Sequence, residues 1–416
     1  MLRVLLWLGI AGLGIAGLSS PAGVEPRLLE VGNQQGTALN SFVQVWGNRT
    51  ALARELPTEL TSMVLDDPKA FYYNSRAPLA SRAFGFRGIH RWGLHPTTEI
   101  LGLGDNEPGK SSTVYYYCSV PIQELPERLH DEIRSLALER LLGRDHAPSP
   151  QPSPPQLHGG LWISTPGLIA AMHFDTAPNL LMQLSGRKRV TLASPRYWRE
   201  LYLFSALHPA SRQSQVPLEA SLPPVLEEAY PAFGRVPLET VDLGPGDVLF
   251  IPPFHFHHVE VANTTAVSLN SYLEAPHKTT LARIFAMALP APLAPLACFL
   301  AESFREAAGL DLLQVVGDLL ESRWRHFAAD PFFPGHISLN ASTSADAQRV
   351  APSTSQPVVA RVELDAAIRQ LALEVPEALE MILADFVEVS VWNIAQSSVV
   401  EALESFPELM HTCLGQ

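Results

Sequence analysis

The stretch from Gly160 to Glu274 constrains the fold more than any other, because it is almost wholly strand and turn. Gly244 to Asp247 (Gly-Pro-Gly-Asp) marks a turn before the apolar run Val248 to Ile251, and Ala266 to Tyr272 alternates like a strand. Short strands, frequent Gly/Pro turns and no long helical pattern define a mainly β fold: a double-sheet jelly roll or a similar small barrel. Upstream, Thr113 to Val120 is a β-rich run in which Val114, Tyr116 and Cys118 share one face and Tyr115, Tyr117 and Ser119 the other.

The flanks read differently. Pro126 to Leu142 has a helical rhythm, and Asp145 to Gln156 holds five prolines and must be an exposed loop. Past Pro276 the pattern is helical: Leu312, Val316, Leu319, Leu320 and Trp324 recur at helical spacing, as do Leu379, Ile382, Leu383, Phe386 and Val389 after Pro376. Ile284 to Leu300 is apolar enough for a membrane segment, but Pro290, Pro292 and Pro295 make it a broken helix packed on the core. From Val24 to Lys110 the sequence is weakly periodic and assigns no elements. The expected division is therefore a targeting segment at 1–23, an N-terminal flanking region at 24–112, a core at 113–280 with its Pro-rich loop at 145–157, and a helical region at 281–416 with a polar linker at 335–356.

The targeting segment consists of Arg3, the 15-residue apolar run Val4 to Leu18 and small residues through Gly23. It fits a secretory signal better than an uncleaved membrane anchor, which needs a span of about 20 residues. Either places the rest of the chain in or beyond the secretory lumen rather than in the cytosol. Asn48, Asn263 and Asn340 each open an Asn-x-Ser/Thr triplet and are glycosylation candidates there. The net charge of −13 argues against a protein built to coat nucleic acid. Three cysteines, Cys118, Cys298 and Cys413, are too few for a disulfide framework or a Cys-based zinc site.

Chemistry concentrates in two short stretches. In a strand, residues two apart project to one face, so His173 and Asp175 can present a nitrogen and a carboxylate oxygen to one point. The second stretch, Asp247 to Glu260, sets His255, His257 and His258 in an apolar strand, a choice a simple core would not make. Two His and one carboxylate on one face of iron leave positions open for a co-substrate and O2; a closed zinc site would recruit Cys or a fourth side chain. Lys188 shares strand parity with Val190 and Leu192. If these point inward, its ammonium needs an anion, and a bound carboxylate is a natural partner.

These residues carry a resemblance. His173, Asp175, Asn179, Gln183, Gly186 and Lys188, followed by GPGDVLFIPP, aromatic residues, His and Val, resemble the JmjC, cupin-like family of Fe(II)- and 2-oxoglutarate-dependent oxygenases. The likeness covers roughly 113–280 and is closest to a small hydroxylase branch that includes an asparaginyl hydroxylase acting on hypoxia-inducible factor and the tRNA wybutosine hydroxylase. It implies a double-stranded β-helix core with flanking helices. It also implies His173, Asp175 and His257 as iron ligands, with His258 as the fallback for the last. Lys188 would pair with the distal carboxylate of 2-oxoglutarate, assisted by Tyr116 and Asn179, with Asn270 near the iron. The sequence departs from the family at Ala170, often a Thr touching 2-oxoglutarate, and at His255, usually a bulky aromatic.

The resemblance implies hydroxylation of a substrate C–H bond, with O2 and 2-oxoglutarate consumed. The leading expectation for the substrate is a protein or peptide side chain; the alternatives are a tRNA base, or a non-catalytic metal-binding interaction module. The module would usually have lost a ligand or the Lys, and this chain has all four. Homodimerisation through the C-terminal helices is a further expectation, set against the simpler reading of those helices as a separate cap.

Overall fold

A computed structural model describes residues 25–29, 33–65, 91–103, 115–136, 158–208, 210–218, 227–324, 357–395 and 399–414. The expected targeting segment, Pro-rich loop and polar linker lie outside these residues. Among the described residues, twelve strands form two antiparallel sheets. They are β1 (Arg27–Leu28), β2 (Glu59–Leu65), β3 (Arg91–Pro96), β4 (Tyr115–Pro121), β5 (His158–Ser164), β6 (Ile169–Phe174), β7 (Asn179–Ser185), β8 (Lys188–Ala193), β9 (Glu239–Leu243), β10 (Val248–Ile251), β11 (Phe256–Val261) and β12 (Ala266–Tyr272). The larger sheet runs β1-β10-β7-β12-β5-β4-β2-β3 and the smaller β6-β11-β8-β9. This is a jelly-roll core, as the strand-and-turn pattern predicts.

Side-chain alternation sorts residues between the two faces of each sheet. Outward from the larger sheet, Tyr116, Cys118, Leu161, Ile163, Leu180, Met182, Val248, Phe250, Val267 and Leu269 form one core. The amphipathic helices α1 (Asn33–Trp46), α2 (Arg49–Glu55) and α3 (Glu127–Leu136) cover it through Leu39, Phe42, Trp46, Leu52, Leu129 and Ile133. Between the sheets, two apolar groups remain, one around Tyr117, Leu168, Ala170, Val261 and Ala266, the other around Leu181, Val190, Leu192, Leu249 and Ile251. The segment before residue 113, featureless in sequence, thus supplies a helical layer and extends the larger sheet, with β2 pairing to β4 and β3 to β2.

The C-terminal region covers the outer face of the smaller sheet. Its helices are α4 (His277–Phe285), α5 (Leu293–Ala308), α6 (Leu312–Leu319), α7 (Pro357–Glu374), α8 (Leu379–Ile394), α9 (Val399–Glu404) and α10 (Phe406–Leu414). Met172, Phe174, Phe254 and Phe256 join Leu300, Phe304, Leu383, Phe386 and Phe406 in one apolar core. The apolar run Ile284 to Leu300 breaks between α4 and α5, as its prolines require. Among the described residues, no helix is long and apolar enough to cross a membrane. The layers are therefore helices, large sheet, small sheet, helices.

Candidate active site

The site lies between the sheets, on the inner faces of β6, β7, β8, β11 and β12. β6 and β11 bring His173 directly opposite His257, with ring centroids 4.1 Å apart. Between His257 and Val259 the register shifts, so that Ala171 and Met172 together oppose His258 alone. This bulge resets parity in β6. Ala170 and His173, three residues apart, both line the cavity, while Met172 and Phe174 face the C-terminal helices.

Asp175 follows β6. Its backbone carbonyl accepts from Phe254 N at 2.7 Å, and Phe254, at φ 63°, adopts a left-handed turn just before β11. The ligand atoms of His173, Asp175 and His257 lie within 4.8 Å of one another, and His257 Nε2 is 3.8 Å from Asp175 Oδ2. Both imidazoles turn Nδ1 to a backbone carbonyl, His173 to Ala171 O at 2.7 Å and His257 to His255 O at 3.1 Å. Such hydrogen bonds fix the tautomer and aim Nε2 at a shared point. Burial and the charge of His257 hold His173 well below the usual imidazole range, so it is neutral and able to ligate at pH 7.

His258, the fallback ligand, faces away: its Nε2 is 3.2 Å from Glu260 Oε1. His255 is buried outside the cluster, pushed down to about 3 by burial and by the charge of His257. Among the described residues, these three side chains are the only group of at least three His, Cys, Asp or Glu placed to hold a metal. Two nitrogens and one carboxylate oxygen, with no fourth side chain in the cluster, fit an ion bound on one side and open on the other.

The open side faces a cavity of about 520 Å³ including its mouth, lined by Tyr117, Trp162, Asn179, Lys188, Asn270 and Tyr272 among others. Lys188 is inward, as parity with Val190 and Leu192 requires, and is buried; its Nζ donates to Ser268 Oγ at 2.6 Å. No carboxylate among the described residues pairs with it, and burial pushes it down to about 8. The side-chain oxygen of Asn179, 2% exposed, is buried with no hydrogen-bond partner among the described residues. A cation without a counter-ion and an orphaned amide oxygen lining one cavity are what a polar ligand would satisfy. The two-residue turn Gly186–Arg187 that delivers Lys188 needs its glycine. Gly186 has φ 70°, and a Cβ there would stand 2.5 Å from Thr265 O.

One expected residue is misplaced. Tyr116 points out of the cavity into the core beneath α1, α2 and α3, where its hydroxyl donates to Glu99 Oε1 at 2.6 Å and burial, then Glu99, raise it to about 12. Its neighbour Tyr117, on the opposite face of β4, lines the cavity. Strand parity allowed either tyrosine to face inward, so the correction is a choice of face. Trp162, Tyr272 and Ser268 carry no signal in the sequence: Trp162 and Tyr272 look like ordinary strand aromatics, and Ser268 acquires meaning only from the distant Lys188.

A jelly roll with an inward His-x-Asp and a later His facing a closed-off lysine defines a metal-centred cupin-like domain. Residues 96–279 match the model of the Cupin-like domain family. Relatives include proteins named Jumonji C domain-containing protein 5 of Drosophila melanogaster and lysine-specific demethylase 8 of Danio rerio. The chain is 37% identical over 123 residues to HSPB1-associated protein 1 homolog of Danio rerio, covering 27% of this chain and 25% of that one. It is 38% identical over 110 residues to tRNA wybutosine-synthesizing protein 5 of Homo sapiens, covering 26% of this chain and 32% of that one. To lysine-specific demethylase 8 of Danio rerio it is 35% identical over 100 residues, 24% of this chain and 23% of that one. The chain thus spans only 23% to 32% of the length of these relatives.

Proposed function

We propose that this protein is a 2-oxoglutarate-dependent oxygenase that hydroxylates a C–H bond on a protein or peptide side chain. The observation that carries this reading is the convergence of His173, Asp175 and His257 beside an inward Lys188 that has no protein carboxylate. The net reaction joins substrate R–H, O2 and 2-oxoglutarate to give R–OH, succinate and CO2. His173, Asp175 and His257 would hold Fe(II), which supplies the oxygen-activating chemistry when bound.

The chain's own residues do the rest. The carbonyls of Ala171 and His255 hold the two imidazoles through their Nδ1 atoms and keep Nε2 aimed at the shared point. Lys188 receives the distal carboxylate of the co-substrate and stays charged once that partner arrives. Asn179 and Asn270 line the same cavity, and Leu168, Ala170, Val259 and Val261 keep water from it. A protein substrate is favoured by the acidic balance of the chain and by a relative named for demethylating lysine. With Fe(II), 2-oxoglutarate and a substrate protein, the purified enzyme should form succinate, and Asp175→Ala should lower that rate more than about a hundredfold, beyond the effect of losing a mere hydrogen-bond partner of a ligand. A wild-type protein that loads metal but turns nothing over would return the site to a binding module, and +16 Da products on tRNA alone would reassign the substrate.

For its location we favour the secretory lumen, with the N-terminal segment as signal or lumen-facing anchor. The apolar run Val4 to Leu18 supports this, as does a disulfide-bonded Cys298, since such bonds persist in oxidising compartments. Asn263, exposed in the turn between β11 and β12, should then carry glycan, and a glycosidase-sensitive mass shift lost in Asn263→Gln tests it. Cytosolic localisation of a C-terminally tagged chain would contradict the reading.

A further inference from the structure

We propose that Ser268 is a positioning residue for the co-substrate, holding the Lys188 ammonium where it receives the distal carboxylate; the inference rests on the oxygenase reading above. Ser268 stands on the inner face of β12, in parity with Asn270 and Tyr272, which line the cavity. The pairing of β12 with β7 shifts between Val267 and Ser268, so Ser268 sits opposite Gln183 rather than Leu184. Its hydroxyl, fully buried, accepts from Lys188 Nζ at 2.6 Å, and the lysine is 7% exposed.

Lysine is a point charge on a four-carbon stem and brings no geometry of its own. Something must fix its head, and among the described residues no carboxylate does so. A hydroxyl fits the task better than a carboxylate would. It fixes direction while leaving the positive charge uncompensated, so the incoming anion meets a full cation with two donors unspent. Ser268 supplies that hydroxyl from β12, in the sheet opposite the one that carries Lys188. Ser268 acts through Lys188, which lines the cavity.

The test uses the full chain loaded with Mn(II), which binds without turnover, and compares two ligands that share a 2-oxo acid end. 2-Oxoglutarate carries the distal carboxylate and pyruvate does not. Ser268→Ala should weaken 2-oxoglutarate about tenfold, the worth of one hydrogen bond to a charged group, and leave pyruvate and Mn(II) affinity unchanged. Ser268→Thr should restore 2-oxoglutarate binding. With Fe(II), Ser268→Ala should raise the KM for 2-oxoglutarate and spare kcat at saturation. If the Ala variant does not fold, Ser268→Cys, similar in size but a weaker acceptor, should show the same selective loss. Undiminished 2-oxoglutarate affinity in the Ala or Cys variant, or equal losses for both ligands, would overturn the inference alone. A wild-type protein that binds Mn(II) and neither acid would overturn the oxygenase reading with it.

Discussion

A buried lysine without a carboxylate is a cost the fold carries until a ligand arrives, and Lys188 shows its size. Burial pushes it down to about 8, below the usual lysine value near 10.4. Between those values the unfolded chain binds a proton that the folded chain does not, so stability rises with pH across the window and is depressed below it. Lys188→Met should therefore stabilise the ligand-free protein by about 1–3 kcal/mol at pH 7, after allowance for the lost Ser268 bond, and by nothing near pH 10.5. Urea denaturation at the two pH values reads this directly; equal differences at both would contradict it. The same variant should lose 2-oxoglutarate. Lys188 was legible in the sequence because its strand neighbours are apolar on alternate positions, whereas its partner Ser268 lies on another sheet and leaves no local trace.

At the scale of elements, alternation decides what each strand offers the site, and it is also where sequence reading falters. In β4 three consecutive tyrosines erase the polar–apolar contrast that tells inside from outside, so Tyr116 and Tyr117 look interchangeable. Packing separates them. Tyr116→Phe should leave turnover intact and cost about 1 kcal/mol through the Glu99 hydrogen bond, while Tyr117→Phe should raise the KM for 2-oxoglutarate with little change in stability. The reverse pattern would place the wrong tyrosine in the cavity. The bulge in β6 is equally invisible in sequence: simple alternation from His173 would put Ala170 outside. By contrast β8 sets the exposed Arg189 between the inward Lys188 and Val190, which makes the lysine's face readable.

The whole molecule explains why the C-terminal third is more than a cap. The loop after β8 places Trp198 against Arg323, whose guanidinium carbon is 5.0 Å from the ring centroid. Fully buried, Arg323 donates to Asp385 Oδ1 at 2.6 Å and Glu388 Oε2 at 2.7 Å. Glu388 in turn accepts from Trp324 Nε1 at 2.7 Å and from Ala206 N at 2.8 Å. Ala206 belongs to the segment that continues to Gln213 and Ser214, which bond the free edge of β6 beside His173. A charge network in the helices thus clamps the strand that carries the first metal ligand. Arg323→Ala would strand the buried Glu388 carboxylate and the half-buried Asp385 beside it and should cost about 3–5 kcal/mol, with metal affinity falling in parallel; a thermal shift with unchanged metal affinity would uncouple the helices from the site. The sequence could not show this. α8 is buried nearly all round, so its apolar period is smeared, and the Arg–Glu pairing joins positions 65 apart in the chain.

The proposed activity requires that His173, Asp175 and His257 hold a ferrous ion that a 2-oxo acid can chelate while Lys188 grips its far end. Anaerobic titration of the Fe(II)-loaded protein with 2-oxoglutarate, followed by visible absorption, measures that directly. We predict a charge-transfer band that saturates stoichiometrically in the wild type, is absent in Asp175→Ala, and in Lys188→Met requires far higher 2-oxoglutarate. Iron-loaded wild type that develops no band at any 2-oxoglutarate concentration would contradict it.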